Sequence, residues 1–277
     1  MHYPLISIIV PVYNRAEILG ETIESILHQG FHNWELILVD DHSTDGSHDV
    51  LNKFARSDTR ISWQSRPENI LKGANGCRNY GLILAKGEYI KWVDSDDLLD
   101  AHALEIQLKV MDSNKQLKVC FGPGIFFNDV TKQLAEGWSR NVYSDSILWD
   151  YVRNNVRWPI GGPLWRKDFF EIPPFEENLR NSQEWLMHGL QLLRLAPNQY
   201  KTIDDNIYLI RRGNVRMSSR RNSTYFYNQA KARYLLFKDS LNKQAPTKVR
   251  FELIKQMGIF WYHAIAGIVP RVNSKGK

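Results

Sequence analysis

Short apolar runs alternate with amphipathic segments along the first hundred residues. The runs are rich in β-branched residues, which is typical of buried parallel strands. The segments between them have apolar side chains at the spacing of one helix face. Strands are predicted at residues 6–11, 34–39, 61–63 and 87–93, and helices at 18–27, 50–54 and 79–85. This alternation predicts an α/β fold with a doubly wound, mostly parallel sheet.

The rest of the chain has a less regular pattern. Helices are predicted at 103–111, at the segment that begins near residue 183, at 225–241 and at 248–269, with strands at 119–122 and 125–127. Between them, residues 138–158 are aromatic and polar without a clear period. Trp138, Trp149 and Trp158 in that stretch are either stacking platforms for an acceptor or packed side chains. The last two helices predict a helical C-terminal extension.

Polar residues follow three of the predicted strands at the point where each strand ends. Pro11 and Tyr13 follow the first strand, Asp40 and Asp41 the second, and an acidic group at residues 94–97 the central one. In open α/β sheets, ligands bind beyond the carboxyl ends of the strands. We therefore expect these three groups to meet at one edge of the sheet.

The acidic group at the end of the central strand contains three carboxylates within four residues. If the extended geometry continues, Asp94 and Asp96 lie on one face and Ser95 is turned away. Two converging carboxylates repel each other unless a cation lies between them, and Mg²⁺ or Mn²⁺ prefers such oxygen ligands. The pattern thus predicts either a metal–diphosphate site or a solvated acidic turn.

Composition places the chain among ordinary globular proteins. Its 277 residues are 43% hydrophobic and 24% charged, enough to bury a substantial core. Cys77 and Cys120 lack a metal-type spacing and are compatible with a reducing cytoplasm. Because a strand pattern begins at once and no apolar run reaches about 18 residues, we expect neither a signal peptide nor a membrane span. The expected location is cytoplasmic.

Charge is distributed unevenly along the chain. Residues 201–277 contain 16 Lys and Arg but only 4 Asp and Glu. Such a basic segment indicates either an anionic partner, for instance a membrane surface or a diphosphate, or a solubilising surface. Within it, an apolar stripe along 248–269 is followed by Arg271, Lys275 and Lys277. This pattern fits peripheral membrane contact, or equally a helix packed on the catalytic domain. We do not expect nucleic acid as a partner.

Four motifs in this order resemble family 2 glycosyltransferases of the GT-A fold. They are Ser-Ile-Ile-Val-Pro-Val-Tyr-Asn at 7–14, Val-Asp-Asp-His-Ser-Thr-Asp-Gly-Ser at 39–47, Asn-Gly-Cys-Arg-Asn-Tyr-Gly at 75–81, and Gly-Glu-Tyr-Ile leading to Asp-Ser-Asp-Asp at 87–97. The resemblance implies a Rossmann-like GT-A domain. It also implies inverting transfer of a sugar from a nucleotide diphosphate, usually UDP-linked, with Mg²⁺ or Mn²⁺.

The resemblance also assigns roles position by position. Pro11 and Tyr13 would line the nucleobase and ribose pocket, and Asp41 would accept from the uracil N3–H, with Asp40 beside it. Asp96 would be the principal metal ligand, aided by Asp94. The full set implied for substrate binding is Pro11, Tyr13, Asp41, Arg78, Asp94, Ser95 and Asp97. The alternatives are a core-lining tyrosine at Tyr13, helix capping by Asp41 or Asp45, a surface ion pair at Arg78, and donor-sugar positioning or metal ligation by Asp97.

Two segments depart from the family pattern. Where relatives have Glu-Asp, this chain has Gln183-Glu184, so Glu184 would be the general base with a longer side chain; it is otherwise a glutamate held at a helix N-terminus. His188 shares its helix face. The histidine that often completes the metal shell aligns with Gly213. Arg211, Arg212 and Arg216 nearby would then neutralise the diphosphate, or form a solvated basic loop.

These observations predict a catalytic domain at 1–218 and a basic helical extension at 219–277. Residues 1–100 would bind the nucleotide sugar and metal, and 101–218 the acceptor, a saccharide or lipid-linked molecule of bacterial surface polysaccharide synthesis. Two other functions remain open. One is an aspartate-dependent phosphatase or nucleotidyl transferase that uses Asp94 and Asp96. The other is a non-catalytic module that binds sugar nucleotides.

Overall fold

The structure is a computed structural model that describes residues 4–139, 143–144, 146–212 and 222–266. The first part of the chain forms β1 (Ile6–Val12), α1 (Leu19–Leu27), β2 (Trp34–Asp40), α2 (Ser47–Ser57), β3 (Ile61–Ser65), α3 (Ala74–Leu84), β4 (Tyr89–Trp92), β5 (Leu98–Leu99) and α4 (Ala103–Ser113). There follow β6 (Val119–Phe121), β7 (Gly124–Asn128), β8 (Leu134–Gly137), α5 (Ile147–Val152), β9 (Pro163–Arg166), α6 (Gln183–Leu192), β10 (Tyr200–Thr202), β11 (Tyr208–Arg212), α7 (Ser223–Asn242) and α8 (Thr247–Ala266).

The main sheet has seven strands in the order β10-β6-β9-β4-β1-β2-β3. β9 runs antiparallel to both of its neighbours, and the other pairings are parallel. Every residue of β1 is buried, because helices cover a parallel sheet on its faces. The predicted doubly wound, mostly parallel α/β sheet is thus confirmed. Its order makes β4, β1 and β2 adjacent, so the ends of these strands are neighbours.

A second sheet of four strands has the order β5-β11-β7-β8. β11 pairs antiparallel with β5 and parallel with β7. β5 begins directly after residues 94–97, so the chain leaves the main sheet at β4 and enters the second sheet within five residues. The acidic segment is therefore the connection between the two sheets.

Helix α3 begins earlier than the sequence pattern indicates. The predicted start was residue 79, after a loop rich in Gly and Asn, but the helix starts at Ala74. Gly73, at φ +129°, adopts a backbone conformation that favours glycine, and it lets the chain enter the helix. A Cβ on Gly81 would lie 2.4 Å from Cγ2 of Ile9, so glycine there lets α3 pack closely on β1. Gly73 therefore allows the turn into α3, and Gly81 allows the close packing of α3 on β1.

The chain divides into two compact units. The first comprises Met1–Glu177 and Leu195–Gly213 and contains both sheets; the second comprises Asn178–Arg194 and Asn214–Lys277. In the second unit the Arg233 guanidinium lies 3.8 Å from the ring centroid of Trp185 on α6 and 4.8 Å from that of Phe260 on α8. The helical C-terminal extension is confirmed. The expected boundary between residues 218 and 219 lies outside the described residues. No helix within the described ranges is long and apolar enough to cross a membrane.

Lys91 is a fully buried lysine in the central strand β4. Its Nζ donates to Oε1 of Gln107 at 2.5 Å and lies 3.5 Å from the carbonyl oxygen of Gly162. Burial disfavours the charged ammonium and lowers the pKa of Lys91 to about 7. The side chain joins β4, α4 and the segment before β9, at the cost of placing a titratable group in the core.

Replacing Lys91 with Met should change how stability depends on pH. Between about pH 7 and 9 the unfolded chain still binds the Lys91 proton, whereas the folded chain has released it. We therefore compare the unfolding free energies of the parent and of Lys91→Met. The parent value minus the variant value should rise, as the pH increases, by up to about 1.4 kcal/mol per pH unit. Urea titrations at pH 6, 7, 8 and 9 measure this difference. Lys86→Met, at an exposed position before β4, is the matched control for loss of a lysine. The same pH dependence in both variants would contradict the assignment.

Candidate active site

The three carboxylates at the end of β4 lie together on a tight turn. The Asp97 N–H donates to the carbonyl oxygen of Asp94 at 3.2 Å. Ligand atoms of Asp94, Asp96 and Asp97 all lie within 4.8 Å of one another. The expectation that Asp94 and Asp96 share one face of an extended strand is therefore wrong. The chain must pass from one sheet to the other here, and the turn brings the carboxylates together instead.

Each of these carboxylates has a positively polarised partner. Oδ1 of Asp94 lies 2.6 Å from the Arg78 guanidinium, and Oδ2 of Asp96 lies 3.5 Å from that of Arg15. The side chains of Asp94 and Asp96 are 31% and 27% exposed, whereas Asp97 is buried. Ser95 is buried within the same turn. The turn thus presents two carboxylates to solvent and keeps the third behind them.

This donor set fits a hard divalent cation. All three ligand groups offer oxygen, which Mg²⁺ and Mn²⁺ prefer, and their spacing lets one ion contact more than one of them. The two guanidiniums only partly offset the charge, since there are three carboxylates and two positive groups in these ion pairs. Asp94 and Asp96 would hold such an ion, with Asp97 beside them. The expected histidine position, Gly213, lies outside the described residues.

The ends of β1 and β2 form a second part of the site. The Asp41 N–H donates to the carbonyl oxygen of Val12 at 2.8 Å, which extends the β1–β2 contact past the strands. Tyr13 follows β1 and is 43% exposed, so the alternative of a core-lining tyrosine is wrong. The Lys72 ammonium lies 4.5 Å from the centroid of its ring. Pro11, still within β1, is buried.

Arg66 is a site residue that the sequence reasoning missed. Its Nε donates to Oδ1 of Asp41 at 2.5 Å, and both side chains are less than 10% exposed. The ion pair joins the end of β2 to the residue that directly follows β3. The sequence offers one signal for Arg66, which is its position directly after a parallel strand. Polar residues at the carboxyl ends of such strands tend to lie at the ligand site, and this rule applies to Arg66 as it does to Asp41.

Two neighbouring aspartates have structural roles. Asp40 is fully buried and accepts from the Ser43 N–H and from Nε2 of His48, at 3.1 and 2.9 Å. Asp45 accepts from the N–H of Ser47, the first residue of α2, while Gly46 occupies the N-cap position. Its other oxygen accepts from the backbone N–H of Ala16, at 3.0 Å. These contacts tie the loop after β2 to the loop after β1.

The basic segment at β11 differs from its expectation. The Arg211 side chain is 1% exposed, and its guanidinium contacts Glu21 and Asp129, so it is neither a diphosphate ligand nor part of a solvated loop. Arg212 is exposed and pairs with Glu136. Arg216 lies outside the described residues. β11 runs between β5 and β7, so Arg211 lies inside the second sheet. Its guanidinium is therefore occupied by the ion pairs with Glu21 and Asp129.

Aromatic residues of the second half are partly core. Trp158 is buried, with its ring centroid 4.1 Å from that of Phe121, so it packs and is not a stacking platform. Trp138 and Trp149 are half-buried.

A Cβ on Gly161 would lie 2.0 Å from the Tyr208 ring, so the glycine before β9 allows close approach of that ring. Burial raises the pKa of Tyr208 well above its usual value, and its hydroxyl stays protonated.

Glu184 lies in the first turn of α6, in the second compact unit, and is half-buried. His188, one turn later, is buried. The structure thus brings together Asp94, Ser95, Asp96, Asp97 and Arg78, with Arg15 joining the β1 loop to the turn and Asp41 and Tyr13 at the adjacent strand ends. The role of Glu184 stays a prediction.

Comparison with known proteins identifies relatives of this architecture. The model of the family described as "Glycosyl transferase family 2" matches residues 7–171. Glycosyltransferase GlyG of Streptococcus pneumoniae is 32% identical over 75% of this chain and 71% of its own length. The Escherichia coli UDP-Glc:α-D-GlcNAc-diphosphoundecaprenol β-1,3-glucosyltransferase WfaP is 40% identical over 40% of this chain. That match spans only 43% of WfaP.

Solved structures show the same fold at lower sequence identity. Staphylococcus aureus TarS 1-349 in complex with UDP has a TM-score of 0.64 and 18% identity, over 98% of this chain and 75% of that one. The mannosyltransferase PcManGT of Pyrobaculum calidifontis, in complex with GDP-Man and Mn²⁺, has a TM-score of 0.63 and 15% identity, over 96% and 74%. With the family match over more than half of its length, this chain belongs to glycosyltransferase family 2 and has the GT-A fold.

Proposed function

We propose that this protein is an inverting glycosyltransferase that moves a sugar from a UDP-sugar to a hydroxyl group. The observation that supports this best is the carboxylate turn after β4, placed beside the ends of β1 and β2. One edge of the sheet thereby offers oxygen ligands for a cation and, next to them, an exposed aromatic ring and a buried carboxylate. A nucleoside diphosphate has a base at one end, which can stack on an aromatic ring and bond to a carboxylate. It has a diphosphate at the other end, which binds a cation.

The nucleoside would lie over the ends of β1 and β2. The exposed Tyr13 ring can stack on a base, and Pro11 forms the floor beneath it. Asp41 accepts from the uracil N3–H, since an ionised carboxylate only accepts hydrogen bonds. It also holds Arg66 through one oxygen, and a carboxylate has a second one to offer. This pairing favours a uracil nucleotide as the donor.

The diphosphate would lie at the acidic turn. Asp94 and Asp96 hold Mg²⁺ or Mn²⁺, Asp97 supports them from the buried side, and Ser95 belongs to the same turn. When bound, the cation offsets the negative charge that grows on the leaving diphosphate. Arg78 keeps Asp94 oriented. Arg15 pairs with Asp96 across the mouth of the site and is exposed enough to turn toward a phosphate group.

Glu184 is the proposed general base. It removes the proton of the acceptor hydroxyl, whose oxygen attacks the anomeric carbon opposite the nucleotide, and the C–O bond to the diphosphate breaks as the new one forms. This in-line displacement inverts the anomeric configuration and needs no covalent intermediate. The support is the position of Glu184 at the start of α6, where the family has its carboxylate pair.

The acceptor would be a saccharide linked to a lipid, in the synthesis of a bacterial surface polysaccharide. The name of the relative WfaP includes a diphosphoundecaprenol acceptor, and that lipid places the reaction at a membrane. We propose a cytoplasmic protein that works peripherally at the inner face of the membrane. The residues 101–218 would form the acceptor half.

Helix α8 supports this location. Its outward face consists of large apolar side chains that are 43 to 81% exposed: Phe251, Ile254, Trp261, Tyr262 and Ile265. The opposite face, with Val249 and Leu253, is buried, and Phe260 stacks on Phe226 of α7. Lys248 and Lys255 flank the outward face and are exposed. An amphipathic helix with aromatic residues and lysines is suited to the boundary of an anionic bilayer.

Alanine at Asp96 should abolish both transfer and metal-dependent binding of UDP. Glutamine at Glu184 should lower kcat by about 10²–10⁴-fold, because proton removal contributes that much, while leaving UDP affinity unchanged. Calorimetry with UDP and Mn²⁺, and a transfer assay over a panel of UDP- and GDP-sugars, measure the two effects. Asp112→Ala, a surface carboxylate far along α4, is the control. Full turnover by Glu184→Gln would refute the base assignment.

Release of phosphate from a UDP-sugar without sugar transfer would instead indicate a phosphatase. Tight binding of UDP with no turnover of any nucleotide sugar would indicate a binding module.

Replacing Trp261 and Ile265 together with Ser should weaken binding to anionic vesicles by at least about tenfold. The reason is that each buried apolar side chain contributes about 1.5–3 kcal/mol. Cosedimentation with phosphatidylglycerol–phosphatidylcholine vesicles measures this, and added salt should weaken the parent further. Tyr234→Ser, at an exposed aromatic on α7, is the control. Equal binding of the double variant and the parent would exclude α8 as the membrane contact.

A further inference from the structure

Strand β11 contacts the acidic turn at each of its three aspartates. The Tyr208 hydroxyl accepts from the Asp94 N–H at 2.9 Å. Nε of Arg211 donates to the carbonyl oxygen of Asp96 at 2.7 Å, and the Arg211 N–H donates to Oδ1 of Asp97 at 2.9 Å. β11 also pairs with β5, which follows the turn directly. One strand therefore holds both ends and the middle of the turn.

Tyr208 cannot move without disturbing its surroundings. Its side chain is fully buried. The ring lies against the backbone of Gly161, where even a single added Cβ would come within 2.0 to 2.6 Å of three ring atoms. The hydroxyl oxygen is thereby held at a defined point beneath the Asp94 amide. The position of Asp94, the first residue of the turn, depends on that point.

Arg211 is fixed from the opposite side. Its Nη2 lies 3.0 Å from Oε2 of Glu21 on α1, and its Nη1 donates to Asp129, which follows β7. Lys132 joins the same two carboxylates, at 2.9 and 3.1 Å. The guanidinium thus spans α1, the β7–β8 connection and the turn. Its planar fork can hold three acceptors at once, which a lysine ammonium cannot do with the same geometry.

We propose that Tyr208 and Arg211 are positioning residues that preorganise the carboxylate turn for its divalent cation. This rests on the function proposed above. Three carboxylates within 4.8 Å repel one another, and a free turn would relax by moving them apart. β11 opposes that relaxation, because it bonds the backbone at Asp94 and Asp96 and one carboxylate oxygen of Asp97. The free-energy cost of holding the three carboxylates close together is therefore met when the protein folds. The cation then binds to ligands that are already in place.

The test measures Mn²⁺ affinity in the presence of UDP, by electron paramagnetic resonance of free Mn²⁺. Tyr208→Phe removes the acceptor of the buried Asp94 N–H and should weaken Mn²⁺ binding by about 5- to 100-fold, the range that an unpaired buried group implies. Tyr89→Phe is the matched control, since Tyr89 is equally buried and its hydroxyl bonds Asp112 at 3.3 Å, away from the turn. The control should bind Mn²⁺ as the parent does.

A second pair of variants keeps the test decisive if Tyr208→Phe folds poorly. Arg211→Lys preserves the charge but not the three-way contact and should also weaken Mn²⁺ binding. Arg212→Lys, the exposed neighbour, should not. In transfer assays, raised Mn²⁺ should restore kcat of the positioning variants, which a loss of folded protein would not allow.

Two further results separate the inference from the proposed function. Mn²⁺ affinity within twofold of the parent in folded Tyr208→Phe and Arg211→Lys would overturn the inference while leaving the proposed function intact. Failure of the parent itself to bind Mn²⁺ with UDP would overturn the proposed function.

Discussion

Repulsion among three neighbouring carboxylates is the constraint on which the rest of this structure depends. Asp94, Asp96 and Asp97 have ligand atoms within 4.8 Å of one another, an arrangement that costs free energy in the absence of positive charge. The chain meets that cost with Arg78 on α3, Arg15 after β1 and the backbone N–H of Arg211 on β11. The same compensation leaves Asp94 and Asp96 open to solvent, where an external cation can reach them.

The sheet order makes this arrangement possible. Because β4 lies beside β1, and β1 beside β2, the carboxylate turn, the Tyr13 loop and Asp41 occur side by side without any long connection. The second sheet then receives the chain directly after the turn, so the turn is anchored on both sides. In this chain, one edge of the main sheet thus presents Tyr13 and Asp41, and the small second sheet anchors the carboxylate turn beside them.

The second unit adds features that the first lacks. Its helices are held together by Arg233 between Trp185 and Phe260, and the unit as a whole contains far more basic than acidic residues. Glu184 opens α6 in this unit, and the apolar outward face belongs to α8. The proposed base and the proposed membrane contact therefore belong to one helical group.

The sequence by itself determined the strand–helix alternation, the polar ends of β1, β2 and β4, and the family, because period and motif are local properties of the chain. It did not determine that residues 94–97 form a turn, that Arg66 pairs with Asp41, or that Arg211 is buried. The contacts of Tyr208 with Asp94 and of Arg211 with Glu21 join residues 114 and 190 positions apart. Partners at such separations are set by the packing of β11 between β5 and β7, so only the tertiary structure decided which basic residues are buried in ion pairs and which are exposed.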